Sequence, residues 1–318
     1  MAVIHSRNKK RTTMMTAFVI LHYLAYDMTY ECVSTLLNNF GESEIHIVVV
    51  DNASPNGSGQ QLADTFATQE KVHVILNKAN LGFAKGNNIG YEYAKTLFSP
   101  DFIIVMNNDV LIDDAAFLED IQRIYDEQNF AVLGPDIYNP KTKRHQNPLY
   151  LNGNSKENVT KMRSRLQREL PHFAFHYYKN RLLAPVKKII KTLFFPKKIK
   201  QVNLDRTKVY ENPVLQGACY IFSKDFIQAR DYAFYPETFL YFEEDILHLQ
   251  CQQQNLKMLY VPNIQIKHLE DVSTNMILKT NLSKEKMKSE NLIHSMTAFI
   301  NLTTSLVCPN EQENKKQR

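Results

Sequence analysis

Short apolar runs alternate with amphipathic stretches through the first 135 residues. Thr16–Leu24 (TAFVILHYL), Ile45–Val50 (IHIVVV), Val72–Leu76 and Asp101–Asp109 (DFIIVMNND) are each a few residues long and rich in β-branched and aromatic side chains. Such runs, bounded by polar residues, predict strands buried on both faces. Between them, Tyr26–Phe40 repeats its apolar residues with helical spacing (Met28, Cys32, Leu36, flanked by Val33 and Leu37). Further helices are expected over Gln60–Thr68, over Ala115–Gln128, and from the turn Asn80–Gly90 to about Phe98. Ala131–Leu133 reads as a short strand stopped by Gly134-Pro135, and Asn52–Gly59 as a loop. Strands alternating with helices imply right-handed βαβ units around a parallel sheet, an α/β fold.

The pattern changes at about Pro140. From there to Asn212, basic residues such as Lys161, Arg163, Arg165, Lys187, Lys188 and Lys197 alternate with Phe, Tyr, Leu and Ile, against few acids. This is a basic amphipathic helical insert. Basic residues opposite apolar ones suit an anionic membrane surface, reached through residues 156–208. A solvated hairpin packed on the main domain is the competing reading. Nucleic acid is disfavoured, because no nucleic-acid module surrounds the patch. Afterwards Val214–Phe222 reads as a strand, Asp225–Asp231 and Ile246–Asn255 as helices, Met258–Val261 and Ile264–His268 as strands, and 284–306 as a helix. The expected organisation is a basic tail (1–14), a nucleotide-binding half (15–139), the insert (140–212), a catalytic half (213–283) and a C-terminal helix with a polar tail (284–318).

Bulk properties narrow the class. The 318 residues are 44% hydrophobic with net charge +5, enough for a packed core. Cys32, Cys219, Cys251 and Cys308 form no C-x-x-C pair, which disfavours a zinc ribbon or redox motif and fits a reducing cytoplasm. No apolar run is long enough to predict a spanning helix, and the N-terminus lacks the apolar stretch of a signal peptide.

Polar clusters follow the predicted strands, where open α/β sheets collect their ligands. Asp51-Asn52-Ala53-Ser54 follows IHIVVV, and an acid there can accept hydrogen bonds from a base or ribose, or simply form an Asx-turn. Asn80–Asn88 (NLGFAKGNN) brings glycines to a helix N-terminus, a weak phosphate signal. Asn107-Asn108-Asp109 ends the fourth run, where one carboxylate flanked by amides can hold a divalent cation. Glu243-Glu244-Asp245 follows an aromatic stretch. Crowded acids raise one another's pKa, which suits a general base, although a helix N-terminus also favours acids. His268 ends the last predicted strand and could join a metal site.

Taken in order, His22-Tyr23, VVVDNAS, NLGFAKGNN, MNND, QGACYIF, YFEED and YVP…H resemble the family 2 glycosyltransferases of GT-A fold, especially rhamnosyltransferase-like members that build bacterial surface polysaccharides. The resemblance runs from about Met15 to His268 and implies a mixed sheet with flanking helices. It implies a donor site for a dTDP- or UDP-linked sugar, rhamnose or another hexose, built from His22, Tyr23, Asp51, Asn52, Gly82, Lys85, Asn88, Asn107, Asn108, Gly217 and Ala218. Asp51 would hold the base. Asp109, joined by His268, would bind Mg²⁺ or Mn²⁺ against the diphosphate. An acid of Glu243, Glu244 and Asp245 would deprotonate the acceptor, with Glu244 ahead of Asp245 and Glu243. The acceptor would be lipid-linked or a polysaccharide, met at the inner face of the bacterial plasma membrane. Asn107 stands where a full D-x-D has its first acid, although this subfamily often has Asn there. The chain also departs from the family where Ile246 replaces an Asp and Gln250 an Arg. Those losses motivate an alternative, a non-catalytic subunit of the same fold or an acceptor-binding scaffold. A nucleotidyltransferase is disfavoured, since Leu21–Thr29 lacks a Gly- and basic-rich loop.

Overall fold

In the computed structural model, residues 14–175, 177–179, 204–269 and 281–305 are described. The elements are β1 Thr16–His22, α1 Tyr26–Phe40, β2 Ile45–Asp51, α2 Ser58–Thr65, β3 Val72–Leu76, α3 Gly82–Phe98, β4 Phe102–Asn107, β5 Val110–Leu111, α4 Phe117–Gln128, β6 Val132–Asn139, β7 Arg144–His145, α5 Lys156–Glu169, β8 Tyr210–Glu211, β9 Cys219–Ser223, α6 Lys224–Ala229, α7 Glu243–Gln253, β10 Met258–His268 and α8 Asn281–Ser305.

One sheet runs in the order β3-β2-β1-β4-β9-β6-β10-β5. The first four strands are parallel, as their continuous apolar runs require when helices cover both faces. Alternate residues of β1 serve opposite layers. Phe18 and Ile20 pack with α1, α2 and α4 residues such as Leu36, Leu62 and Ile121. Ala17 and Val19 pack with Tyr91 of α3, Phe226 of α6 and Leu247 of α7. Cys32, Leu36 and Phe40, four residues apart, lie on one face of α1 and are all buried.

The second half is mixed. β9 runs antiparallel between β4 and β6, β10 is parallel to β6, and β5 is antiparallel to β10. Several expected boundaries move: the strand expected over 16–24 ends at His22, the helix expected over 60–68 runs Ser58–Thr65, and the helix expected from Ile246 begins at Glu243. Three further changes alter the sheet. Strand β6 passes through Gly134-Pro135 to Asn139; its ladder to β9 ends at Leu133, so Pro135 breaks no bond on that side. The expected strand 214–222 is a ladder only from Cys219, because Gln216 and Gly217 make a turn in which Gln216 Oε1 accepts from Ala218 N at 2.6 Å. The two expected strands 258–261 and 264–268 are one, with an irregularity between Val261 and Gln265.

Of the insert, α5 is capped by Ser155, whose side chain accepts from Asn158 N. Its Val159 is buried with Met296 and Phe299 of α8 and with Phe242 and Ile246. The apolar side of α5 is therefore spent on the fold, as in the packed-hairpin reading. Lys161 and Arg165 pair with Glu157 and Glu169 on its exposed side. Residue 176 and residues 180–203, nearly half of the stretch expected to meet a membrane, lie outside the described residues. Among the described residues, no helix is long and apolar enough to cross a membrane.

Candidate active site

The carboxyl ends of β1 and β4 and the turn before β9 open onto a cleft of about 280 Å³. Leu21, Tyr23, Asn107–Asp109, Gln216–Ala218, Glu243 and Glu244 line it together with Phe83, Leu240 and Tyr241. The cleft therefore joins three clusters that are far apart in sequence.

Asp109 lies between β4 and β5 and is buried. Its Oδ1 is 3.3 Å from His268 Nε2, yet it has no hydrogen-bond partner. A buried carboxylate oxygen without a donor is costly unless something else meets it. Strand pairing sets His268 opposite Val110. Gln146 Oε1 lies 2.8 Å from His268 Nδ1. A proton on Nδ1 would be donated to that oxygen, and in the neutral ring this tautomer turns the Nε2 lone pair toward Asp109. Asp109 and His268 thus have the donor chemistry to hold a divalent cation. Among the described residues no group of three or more His, Cys, Asp or Glu could do so, so any further ligands would come from substrate or water.

At the same cleft, α7 begins at Glu243, so all three acids sit in its first turn. Tyr241 and Phe242 just before it have φ of 72° and 74°, a left-handed pair that non-glycine residues seldom adopt and that is typical of functional sites. Glu244 is half-buried and rests against Gly217, where a Cβ would stand 2.8 Å from its Oε1. Burial pushes its carboxyl above the usual carboxylate range, helped by Asp245. Burial, then Glu244, lifts Glu243 to about 8. Asp245 is also raised by burial, but it accepts from Tyr150 Oη at 2.6 Å and Asn154 Nδ2 at 2.9 Å. Asp245 is therefore tied into the fold behind the cleft. Gly217→Ala is expected to cut kcat about 10- to 100-fold, because small misplacements of a reacting group cost that much; an unchanged kcat would remove Glu244 from the chemistry.

The remaining sequence-predicted residues divide. Tyr23, Asn107, Asn108, Gly217 and Ala218 line the cleft. Asp51 ends β2 buried, accepting from Ser54 N and from Ser54 Oγ at 2.5 Å. Asn52 donates to Asn80 Oδ1 and Gly82 O and accepts from Leu81 N, pinning the loop before α3. Gly82, at φ 79°, needs its freedom because a Cβ would meet Phe239 O at 2.3 Å. Asn88 exchanges two hydrogen bonds with the backbone of Phe234, and Lys85 is exposed on the first turn of α3. His22 is fully buried. Ile246 belongs to the core with Val159 and Phe299. Gln250 accepts from Arg230 Nη2 at 2.7 Å. Of the departures from the family pattern, Ile246 and Gln250 lie away from the cleft, whereas Asn107 lines it. Gln146 had no distinguishing mark in the sequence, while Gln216 and Tyr241 open the motifs QGACYIF and YFEED without being singled out there.

The sequence profile described as glycosyl transferase family 2 matches residues 17–228. The chain belongs to glycosyl transferase family 2. Among curated relatives of this family 2 chain is the dTDP-rhamnosyl transferase RfbF of Shigella flexneri, 29% identical over 126 residues, 40% of each chain. Another is the low-salt glycan biosynthesis hexosyltransferase Agl10 of Haloferax volcanii, 30% identical over 95 residues, 29% of this chain and 28% of that one. The chain thus aligns with well under half the length of either relative. Solved structures share the GT-A fold. GalNAc-T7 with UDP, GalNAc and Mn²⁺ has a TM-score of 0.55 at 14% identity, over 82% of this chain and 45% of that one. Staphylococcus aureus TarS 1–349 with UDP-GlcNAc has a TM-score of 0.52 at 13% identity, over 88% and 65%.

Proposed function

We propose that this family 2 glycosyltransferase inverts the anomeric centre of a dTDP- or UDP-linked hexose, rhamnose being the first choice, as it passes the sugar to a lipid-linked or polysaccharide acceptor. The observation that carries this reading is the buried, unpartnered Asp109 Oδ1 in the same cleft as Glu244. Asp109 and His268 would hold Mg²⁺ or Mn²⁺, which supplies charge neutralisation for a nucleoside-diphosphate leaving group. Asp51 would accept from the base. Glu244 would take the proton of the acceptor hydroxyl, its raised pKa matched to that task. Inversion needs a single base and no covalent enzyme intermediate, which agrees with a cleft lined by the carboxylates of Asp109, Glu243 and Glu244 and, among the described residues, by no nucleophilic triad. The placement of Ile246 and Gln250 away from the cleft favours this reading over a non-catalytic subunit. The test is a mass-spectrometric screen of dTDP- and UDP-sugars with and without Mn²⁺. Metal-dependent release of the nucleoside diphosphate from at least one donor is expected, and none from any would overturn the reading.

Residues 156–208 would attach the enzyme to the anionic inner leaflet. Each basic residue near such a surface contributes roughly 1 kcal/mol. Co-sedimentation with vesicles containing phosphatidylglycerol is expected, lost in high salt and absent with phosphatidylcholine alone; binding indifferent to lipid charge would reject the attachment.

A further inference from the structure

We propose that His22 is a positioning residue that ties the base-binding carboxylate of Asp51 to the metal corner at Asn108 and Asp109, an inference that rests on the donor-site reading above. β1 lies between β2 and β4, and His22 is its last residue. His22 pairs in register with Asp51, while the preceding Leu21 pairs with Asn107. The side chain is wholly buried, so it cannot touch the donor as the sequence resemblance implied. Instead it has two arms. Nδ1 is 2.7 Å from Thr29 Oγ1, and Thr29 Oγ1 accepts from Asn108 Nδ2 at 2.9 Å. Nε2 is 2.8 Å from Ser58 Oγ and 3.9 Å from Asp51 Oδ1. Ser58 is followed by Gly59, against which Asp51 packs so closely that a Cβ would stand 2.3 Å from its Cγ.

Counting protons gives the chain a direction. Ser58 Oγ donates its one hydrogen to Asn56 Oδ1 at 2.7 Å, so His22 Nε2 carries the ring proton and donates to Ser58. Thr29 Oγ1 accepts from Asn108, and its one hydrogen lies between His22 Nδ1 at 2.7 Å and the more distant Ala25 O at 3.2 Å. This tautomer also turns the Nε2 proton toward the Asp51 carboxylate. Burial holds the imidazole neutral, with its pKa lowered to about 4, so the chain stays intact across the working pH range. A buried chain in which every member is satisfied is rigid. It fixes the spacing between the two strand ends that must grip the nucleoside and the diphosphate at once.

The arms can be cut separately in the full-length chain. Thr29→Val removes the arm to Asn108, Ser58→Ala removes the arm toward Asp51, and His22→Phe removes both. Calorimetric titrations with dTMP and UMP without metal probe the base; titrations with dTDP and UDP with Mn²⁺ probe the diphosphate corner as well. Loss of one buried hydrogen bond corresponds to a change of about tenfold. Thr29→Val is expected to weaken Mn²⁺-dependent diphosphate binding about tenfold and leave monophosphate binding unchanged. Ser58→Ala is expected to weaken monophosphate binding and leave the gain from diphosphate and Mn²⁺ unchanged. His22→Phe should show both losses, and the two milder variants carry the test if it does not fold. Thr29→Val and Ser58→Ala variants that keep every affinity within twofold, or that each lose both affinities equally, would reduce His22 to an ordinary core residue. A parent chain that binds neither dTDP nor UDP would instead overturn the donor-site reading itself.

Discussion

Asp109→Asn is expected to reduce sugar transfer by roughly 10³-fold or more while leaving the fold as stable as the parent or more stable. The two effects have separate causes. Charge neutralisation by a bound cation supplies several kcal/mol in the transition state, and each 1.4 kcal/mol is a factor of ten. An amide in place of the carboxylate is a far poorer ligand for Mg²⁺ or Mn²⁺. In the absence of metal, however, Asp109 is buried with one oxygen lacking a hydrogen-bond partner. Removing a poorly satisfied buried charge relieves a desolvation cost of about 1–3 kcal/mol. Turnover with saturating Mn²⁺ and the metal-free Tm of the same variant together decide the matter. Turnover above a tenth of the parent would exclude Asp109 as the metal ligand. A lower Tm would make it a structural group.

The sequence was most legible where local chemistry alone decides. IHIVVV and FIIVMN are almost wholly buried, so their apolar runs needed no knowledge of neighbours; VHVIL was read the same way although it is an edge strand, only partly buried, and α1 was read to the residue from its spacing. Direction and pairing were not legible. Nothing in CYIFS says that it runs antiparallel between β4 and β6, because an apolar run has no polarity of its own. At the site, the order of motifs brought Asp109, Gly217 and Glu244 to one cleft. What it could not give was the facing of each polar side chain. His22 and Asn88 sit inside motifs near the cleft, yet one is enclosed by Thr29 and Ser58 and the other clamps the Phe234 backbone. Gln146 contacts His268 across 122 residues of sequence, a pairing made by the β6–β10 neighbourhood and by no local signal. The choice among the three acids turned on the same kind of fact. Tyr150 and Asn154, some 90 residues earlier, occupy Asp245.

That occupation separates the outcomes at the three acids. Glu244→Gln is expected to lower kcat by roughly 10²- to 10⁴-fold, the usual contribution of a general base, with donor affinity unchanged. Glutamine keeps the length of the side chain and its fit against Gly217, so the loss isolates the proton acceptor. Asp245→Asn removes an acceptor of two hydrogen bonds and is expected to cost stability first, about 1–3 kcal/mol, with kcat falling far less than in Glu244→Gln. The pH profile gives an independent check. The base must be ionised to act, and burial raises the pKa of Glu244. Activity should therefore climb with pH through a midpoint above the ordinary carboxylate range, and flatten only once Glu244 is ionised. In Glu244→Gln that limb should vanish from what activity remains. If the limb persists in Glu244→Gln and disappears in Glu243→Gln, the base is Glu243, whose carboxyl burial lifts to about 8. If only Asp245→Asn removes it, the Tyr150 and Asn154 hydrogen bonds must open during turnover, and the base is the acid that the resting fold keeps engaged.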